Sequence, residues 1–303
     1  MEYSITIPVL RLEGRPKDMV EDLLKALEGQ SRPPTEVHLV VGDRRQGRAI
    51  NLGVSSSSTK YVATLDDDSF IDDPDLFRKL VVAMDEDPSL GMVGGACAIP
   101  DWATPFQKKA MMQISRRFFP VQQETVDSDM VQHPCLMMRR KDFHAIGGED
   151  EELIRGLDPV LRKKVRDAGL RVAVVANTWV YHLLPDGFLK LVRMYFRNGV
   201  GSGYAQKHFP DRVLELTDGF DQGRFVERRP WFVRLGRRLS GLMGGLGGGK
   251  WIRVATDLAY GLGVCRERLW PSPDPSVPEV EGVHRESWEG FAFSVSIHRV
   301  KLK

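Results

Sequence analysis

The sequence predicts an α/β fold with a mainly parallel central sheet and helices on both faces. Short apolar runs alternate with amphipathic segments along residues 3–180, at a spacing typical of strands joined by crossover helices. Three adjacent aspartates follow one of these apolar runs, at residues 66–68. Because ligands of open α/β sheets bind at the carboxyl ends of the strands, this cluster marks the expected binding edge.

The first half of the chain carries the alternation most clearly. Residues 3–10 form an apolar run typical of a buried strand, and apolar residues at helical spacing predict a helix over 17–29. The elements that follow are a strand at 37–41, a short helix at 48–53, a strand from 61 into the aspartates, a helix at 75–84 and a strand at 91–97. Residues 101–132 are polar and fit neither period.

The second half continues the pattern and then changes in composition. We expect strands at 133–138, 170–176 and 180–182, a helix that ends near 167, and an amphipathic helix from 188. After about residue 215 come a helix at 230–243, a glycine-rich break, a second helix from 251, a proline-rich linker at 271–275 and a strand-like tail at 291–302. The sequence therefore predicts an α/β domain over 1–215 and a mostly helical C-terminal extension over 216–303 that ends in a strand-like segment.

The bulk composition excludes several classes of protein. Of the 303 residues, 42% are hydrophobic and 28% are charged, as in ordinary globular proteins. A net charge of +2 gives no reason to expect a nucleic-acid partner. Cys97, Cys135 and Cys265 form no CxxC pair, which argues against a zinc site and a disulfide framework and favours a reducing compartment. No stretch reads as a signal peptide or a spanning helix, so we expect a cytoplasmic protein.

The aspartate cluster itself has two interpretations. Three neighbouring carboxylates repel one another, so a folded protein places them together where a cation offsets the repulsion. A divalent metal site at the end of a strand is the first interpretation. The second is a solvated acidic loop before the next helix, where Asp73-Pro74 has the pattern of an N-cap followed by proline.

Several short motifs follow one another in a specific order through residues 3–210. They are Ile7-Pro8 at the end of the first strand, Gln30-Ser31-Arg32-Pro33, residues 47–53 (Gly-Arg-Ala-Ile-Asn-Leu-Gly), residues 65–68 (Leu-Asp-Asp-Asp), and the stretch from Gly156 to Val180-Tyr181-His182. In this order they resemble the inverting family 2 glycosyltransferases of the GT-A fold. Three features depart from that family. Leu157 stands where many members have a glutamate, Gly148-Glu149-Asp150-Glu151 replaces the family's Gly-Gly-Phe-Asp-Glu, and no Gln-x-x-Arg-Trp motif of the processive synthases is present.

The resemblance implies a metal-dependent transfer of a sugar from a nucleotide-diphosphate-sugar donor to a glycan, lipid-linked or small-molecule acceptor. Mn²⁺ or Mg²⁺ would be bound by Asp68, with Asp66 as a second ligand or a contact to the ribose, and His182 near the metal and diphosphate. Asp67 is expected to be a solvated or structural carboxylate.

The same resemblance places the general base at Asp158, with Asp150 or Glu151 as alternatives. Asp158 also precedes Pro159, so it has the pattern of a helix N-cap followed by proline at the first helical position. Inversion at the anomeric carbon is implied by the family alone.

Nucleotide contacts are expected from the carboxyl ends of the early strands and from two basic positions downstream. The candidates are Pro8, Val9, Arg11, Asp43, Arg48, Asp66, Arg193 and Arg197. Asp43 also suits a turn, and the arginines also suit solvated helix faces.

The C-terminal segment at residues 228–264 combines an apolar stripe with arginines and a tryptophan, a pattern typical of helices in a membrane interface. The alternative is that the stripe packs on the catalytic domain or on a second subunit. With membrane contact, the protein would be peripheral on the inner face of the plasma membrane. Two rival functions stay open: a nucleotidyltransferase of similar fold, and an inactive sugar-nucleotide-binding or membrane-associated scaffold.

Overall fold

The computed structural model describes residues 2–214, 231–272 and 277–303. Its strands are β1 (Tyr3–Val9), β2 (Glu36–Val41), β3 (Tyr61–Thr64), β4 (Leu90–Ala98), β5 (Val126–Asp127), β6 (Leu136–Arg139), β7 (Arg171–Tyr181), β8 (Val280–Ser287) and β9 (Ser294–Leu302). Its helices are α1 (Arg15–Glu28), α2 (Gln46–Ser56), α3 (Leu76–Glu86), α4 (Pro105–Gln113), α5 (Arg140–Ala145), α6 (Leu157–Asp167), α7 (Phe188–His208), α8 (Trp231–Gly247) and α9 (Trp251–Leu269), with a short 3₁₀ helix at Pro210–Arg212.

The described strands form one mixed sheet in the order β5-β7-β4-β6-β3-β1-β2-β9-β8. The neighbours β3, β1, β2 and β9 run parallel, and so do β4 and β7. Strand β6 lies antiparallel between β3 and β4, while β5 and β8 are antiparallel at the two edges. The parallel group therefore brings the carboxyl ends of β1, β2 and β3 to one edge, as expected from the sequence.

The central strands are buried on both faces. Ile5, Ile7 and Val9 on one face of β1 are at most 1% exposed, and Ser4 and Thr6 on the other face are each 1% exposed, so both faces of the strand are covered. Helix α1 buries Val20, Leu23, Leu24 and Leu27 in the same cluster. The amphipathic period read from residues 17–29 thus corresponds to a real packing face.

Two elements differ from the sequence expectations. The strands expected at 170–176 and 180–182 are one strand, β7, whose pairing with β4 is irregular between Gly94 and Ala96. Asn177 in β7 has a φ of 52°, a left-handed conformation that asparagine tolerates better than most residues. This local irregularity interrupts the apolar pattern along β7, so the sequence indicated two strands instead of one. The side chains of strand β8 are almost all exposed, so its sequence shows no alternation of apolar and polar residues that would predict a strand.

The described part of the C-terminal extension contacts the α/β domain mainly through β9 and α9. Strand β9 pairs in parallel with β2, from Glu36 opposite Ser294 to Val41 opposite Arg299. Helix α9 crosses α7 where a side chain on either Gly199 or Gly263 would collide with the opposite backbone. The division at residue 215 stays a prediction, and its residues 215–230 and 273–276 lie outside the described part.

None of the described helices is both long and apolar enough to cross a bilayer.

Candidate active site

The three aspartates occupy a tight turn after β3. The Leu65 amide donates to the Thr6 carbonyl at 3.1 Å, which extends the pairing of β3 with β1 by one residue. The Ser69 amide then closes the turn on the Asp66 carbonyl at 3.1 Å, and the buried Ser69 hydroxyl donates to the Pro134 carbonyl at 2.9 Å. The carboxylates are therefore held at the strand end by backbone contacts on both sides.

His182 is brought to this turn by the end of β7. Phe70, just after the aspartates, exchanges two backbone hydrogen bonds with Tyr181, at 2.8 and 2.9 Å. One ligand atom each from Asp66, Asp68 and His182 lie within 4.8 Å of one another, and Nε2 of His182 is 3.2 Å from Oδ1 of Asp68. Residues more than 110 positions apart in the chain thus form one group, in the arrangement expected from the sequence.

The electrostatics distinguish the three aspartates. Burial, together with the Asp68 and Asp158 charges, raises the pKa of Asp66 despite the opposing charges of two histidines. Burial and the two flanking carboxylates raise the pKa of Asp67 to about 6. For Asp68, partial burial alone would raise the pKa, but the hydrogen bond and charge of His182 outweigh it and the pKa is lowered.

The group fits a divalent cation by the chemistry of its donors. Two carboxylates and an imidazole suit Mn²⁺, and the carboxylates alone suit Mg²⁺. Burial alone would lower the pKa of His182, but Asp68 and Asp66 outweigh this effect and raise it. A bound cation would therefore replace the proton that His182 shares with Asp68.

Asp158 lies in the first turn of α6, and the expected N-cap position is taken by Gly156 with a φ of 86°. The Asp158 carboxylate does not cap the helix; its Oδ1 accepts from the His133 amide at 2.8 Å and lies 2.6 Å from Nδ1 of His133. Burial would raise the pKa of Asp158, but the His133 charge and hydrogen bonds, with Arg162, hold it well below its usual range. The expectation of a capping carboxylate was wrong, because the helix begins at Leu157, one residue before Asp158, and left-handed Gly156 is its N-cap.

The neighbouring Leu157 explains the departure from the usual acidic pair. Its side chain is 3% exposed and packs with Leu153 and Ala205 in a small apolar cluster. An acid at this position would be buried without a described partner, so leucine suits the local packing.

The motif at residues 47–53 is explained by close packing. A Cβ on Gly47 would lie 2.1 Å from the Asp150 carbonyl oxygen, and one on Gly53 would lie 2.3 Å from Thr6 Cγ2. Both glycines therefore let α2 approach its neighbours closely enough to fix the segment around Asp150 beside the sheet.

Four of the residues predicted to contact the nucleotide, Pro8, Val9, Arg11 and Asp43, lie at or just after the ends of β1 and β2. Pro8 and Val9 are the last residues of β1, and the Val9 carbonyl accepts from the Gly42 amide at 3.0 Å. Arg11 follows in an exposed loop. Asp43 follows β2, and its side chain is 1% exposed.

Asp43 and Arg48 pair with each other. Nε and Nη2 of Arg48 donate to the two oxygens of Asp43 at 2.6 and 2.9 Å, and Nη1 donates to the Pro278 carbonyl at 2.8 Å. The guanidinium is thus fully engaged by Asp43 and the Pro278 carbonyl, and the Asp43 carboxylate is partly neutralised.

Arg117 acts electrostatically on the group formed by Asp66, Asp68 and His182, and other arginines lie on α7. Arg193 and Arg197 are exposed on α7. Arg117 donates to the Tyr195 hydroxyl of the same helix at 3.3 Å, and its charge helps to lower the pKa of Asp68. Burial, together with the charges of Arg117 and Arg197, lowers the pKa of Arg155. These cations are suited to balance the negative charge of an incoming ligand.

Sequence reasoning missed three site residues. The Gln46 side-chain amide donates to Oδ1 of Asp66 at 2.8 Å, Arg117 faces the cluster, and His133 contacts Asp158. Gln46 directly precedes the glycine motif, which is a usable signal. Arg117 lies in the polar stretch with no period, and His133 precedes a strand, so neither carried a signal of its role.

Comparisons with known proteins place these observations in context. Residues 14–147 match the family model described as glycosyl transferase family 2. The mannosyltransferase PcManGT from Pyrobaculum calidifontis, solved with GDP-Man and Mn²⁺, superposes with a TM-score of 0.55 at 13% identity, over 90% of this chain and 88% of that one. This similarity supports the fold.

Two further solved structures are more distant. Residues 1–349 of Staphylococcus aureus TarS give a TM-score of 0.46 at 14% identity over 94% of each chain. A mutant of Drosophila β-1,4-galactosyltransferase 7, with manganese, UDP-Gal and xylobiose, gives 0.44 at 14% identity over 99% of this chain and 94% of that one. Among curated protein sequences, no match was found.

Proposed function

We propose a metal-dependent, inverting transfer from a nucleotide-diphosphate sugar, because residues 14–147 match the family model of glycosyl transferase family 2 and the chain has a GT-A fold. The observation that carries the proposal is the convergence of Asp66, Asp68 and His182 beside Asp158. It combines a cation-binding group with a candidate general base at the binding edge of the sheet.

The metal-binding group would hold the leaving diphosphate. A divalent cation there supplies positive charge that stabilises the diphosphate as the glycosidic bond breaks. Asp66 and Asp68 would provide carboxylate oxygens, and His182 a nitrogen. Gln46 keeps one oxygen of Asp66 oriented through its 2.8 Å hydrogen bond. Either Mn²⁺ or Mg²⁺ suits the carboxylates, and His182 favours Mn²⁺.

Asp158 would remove the proton of the acceptor. Its carboxylate is 33% exposed, its Oδ1 is fixed by His133, and its lowered pKa keeps it ionised at neutral pH. A low pKa weakens a base, so its contribution depends on orientation and proximity to the acceptor hydroxyl. Attack on the face opposite the diphosphate would invert the anomeric carbon, as the family resemblance implies.

The nucleotide would lie over the ends of β1 and β2. Pro8, Val9 and Arg11 border this region, and the Asp43–Arg48 pair closes it after β2. Arg193 and Arg197 would face the diphosphate from α7.

A lipid-linked acceptor and peripheral contact with the inner face of the plasma membrane fit the C-terminal helices. Large apolar side chains stay exposed along α9, among them Trp251, Leu258, Leu262 and Leu269. Lys109 lies over the Trp251 ring at 5.7 Å, so the apolar stripe has a basic flank. The part of the predicted segment at residues 228–230 lies outside the described residues.

A thermal-shift screen tests the proposal in one experiment. Nucleoside diphosphates and their sugars are compared with and without Mn²⁺, and release of the nucleoside diphosphate is then measured for each sugar that binds. We expect one nucleotide to raise the melting temperature in a Mn²⁺-dependent way and its sugar to be turned over. Binding without turnover of any sugar would favour the inactive scaffold instead.

A further inference from the structure

His133 is buried between two carboxylates. Its Nδ1 lies 2.6 Å from Oδ1 of Asp158, and its Nε2 lies 2.7 Å from Oε1 of Glu149. The residue is 3% exposed, so water does not screen these contacts. Both ring nitrogens face carboxylate oxygens, and an imidazole can donate to both only when it is protonated.

Glu149 is fixed from the opposite side by α2. Its amide donates to Oδ1 of Asn51 at 2.8 Å, and Nδ2 of Asn51 donates to the Glu149 carbonyl at 3.1 Å. Gly148 makes room for this clamp, since a Cβ there would lie 2.6 Å from Oδ1 of Asn51. The Asn51 of the sequence motif therefore holds the backbone that presents Glu149 to His133.

The Glu149 carboxylate depends on His133 for its stability. It is 3% exposed, and within the described residues its Oε2 has no hydrogen-bond partner. A buried carboxylate with one unpaired oxygen is costly unless a cation compensates it. Glu149 thus strongly favours a protonated His133.

The protonation state agrees with this geometry. Burial alone would lower the pKa of His133, but Asp158 and Glu149 outweigh it and raise the pKa well above the usual value. Other charged groups that act on Asp158 are Arg162 of its own helix, Arg116, Arg117, Arg155 and Asp66.

From these contacts we propose that His133 is a positioning residue: as an imidazolium anchored by Glu149, it holds Oδ1 of Asp158 and leaves Oδ2 for the acceptor. The inference rests on the proposed function, in which Asp158 is the general base. Both contacts that His133 makes with Asp158 use Oδ1. Because the carboxylate is held at that oxygen, the direction of Oδ2 is set as well.

The proton balance of the step follows from this arrangement. The acceptor O–H gives its proton to Oδ2 of Asp158 as the new bond to the anomeric carbon forms. The bond from that carbon to the diphosphate breaks, and the diphosphate leaves with the electron pair. His133 keeps its own proton throughout and continues to donate to Oδ1.

The substitution Glu149→Gln tests the role of His133 because it keeps the shape and removes one charge. Loss of an adjacent carboxylate should lower the pKa of His133 by about 1–3 units. The alkaline limb of kcat for Mn²⁺-dependent donor hydrolysis should move to lower pH by a similar amount. The KM for the donor should stay the same, because Glu149 does not contact the metal-binding group. Glu152→Gln changes an exposed side chain in the same loop and is the matched control. It should leave the alkaline limb of kcat at the same pH.

Imidazole NMR titration gives a readout that does not depend on turnover. The His133 signals, assigned by their loss in His133→Gln, should titrate at lower pH in Glu149→Gln than in the wild-type protein. His133→Gln also serves as the second variant if Glu149→Gln does not fold, and should lower kcat on the order of 100-fold through misorientation of Asp158.

The possible failures are distinguishable. An unmoved His133 titration, or a moved titration with an unmoved kcat profile, would overturn the positioning role while leaving the glycosyltransferase activity in place. Absence of turnover by the wild-type protein with every donor would contradict the proposed function itself.

Discussion

Adjacent aspartates at residues 66–68 differ in their surroundings, and the differences assign separate roles. Asp66 and Asp68 share a group with His182, whereas Asp67 lies between two carboxylates that help raise its pKa to about 6. A carboxyl with this pKa is partly protonated near pH 6, so Asp67 reduces the repulsion in the cluster. The role of Asp67 as a solvated or structural carboxylate stays a prediction.

At the same scale, Asp158→Asn tests the general base. The amide keeps the size of the side chain and can still accept from the His133 amide, but it cannot take a proton. We expect donor affinity to stay within about twofold and transfer to fall by roughly 10²–10⁴-fold. Donor binding is measured by calorimetry and turnover by release of the nucleoside diphosphate. Full activity in this variant would move the base to Asp150 or Glu151.

An individual site residue was predictable where it belongs to a recognisable sequence motif. Asp66, Asp68 and His182 follow apolar runs that end at the same edge of the sheet, and the structure groups them. His133 and Glu149 were not predictable as a pair. Their contact depends on how a loop folds over the Asn51 clamp, and no periodic pattern encodes such a contact.

At the scale of elements, α7 and α9 form a close crossing through glycine. A Cβ on Gly263 would lie 2.1 Å from the Phe196 carbonyl oxygen, and one on Gly199 would lie 2.1 Å from that of Tyr260. The two backbones therefore touch, and α9 is fixed on the helix that carries Arg193 and Arg197.

The substitution Gly263→Ala tests this crossing. The new methyl group must push the helices apart, at a cost of about 1–3 kcal/mol in the free energy of unfolding. Gly261→Ala, in the same helix with nothing within 4 Å of the new Cβ, should instead stabilise by up to about 1 kcal/mol. Urea denaturation of both variants measures the difference, and equal effects would show that the crossing is loose.

The elements themselves were largely predictable, and the exceptions have physical causes. The amphipathic period of α1 and the buried run of β1 gave clear signals. The irregular pairing of β7 at Asn177 and the exposed side chains of β8 removed the periodicity from those segments.

At the scale of the whole molecule, the C-terminal segment completes the sheet. Strand β9 pairs with β2, and the Pro278 carbonyl accepts from Arg48 beside the proposed nucleotide site. Deleting residues 216–303 would therefore remove part of the sheet, so membrane contact is better tested by surface substitutions.

The double substitution Leu258→Gln with Leu262→Gln tests membrane contact. These side chains are 51% and 64% exposed, so the fold should tolerate the change. Flotation with vesicles of phosphatidylcholine and phosphatidylglycerol should weaken by roughly 10-fold or more per residue if the leucines insert. Val280→Gln with Val283→Gln on exposed β8 is the control. Equal flotation of wild type and both variants would favour packing on a second subunit.

The overall architecture was predictable because the order of strands and helices and the order of the sequence motifs both indicate the same fold. The pairing of β9 with β2 was not, because nothing local in residues 294–302 specifies a partner strand more than 250 positions away.

The proposed function depends on a metal-dependent donor site at Asp66, Asp68 and His182. Calorimetry with the nucleoside diphosphate selected by the thermal-shift screen, in Mn²⁺ and in EDTA, tests it on the wild-type protein, Asp68→Asn and Asp67→Asn. We predict Mn²⁺-dependent binding in the wild type and in Asp67→Asn, and a loss of at least about 100-fold in Asp68→Asn. Binding that is equally tight in Asp68→Asn, or in EDTA, would contradict the claim.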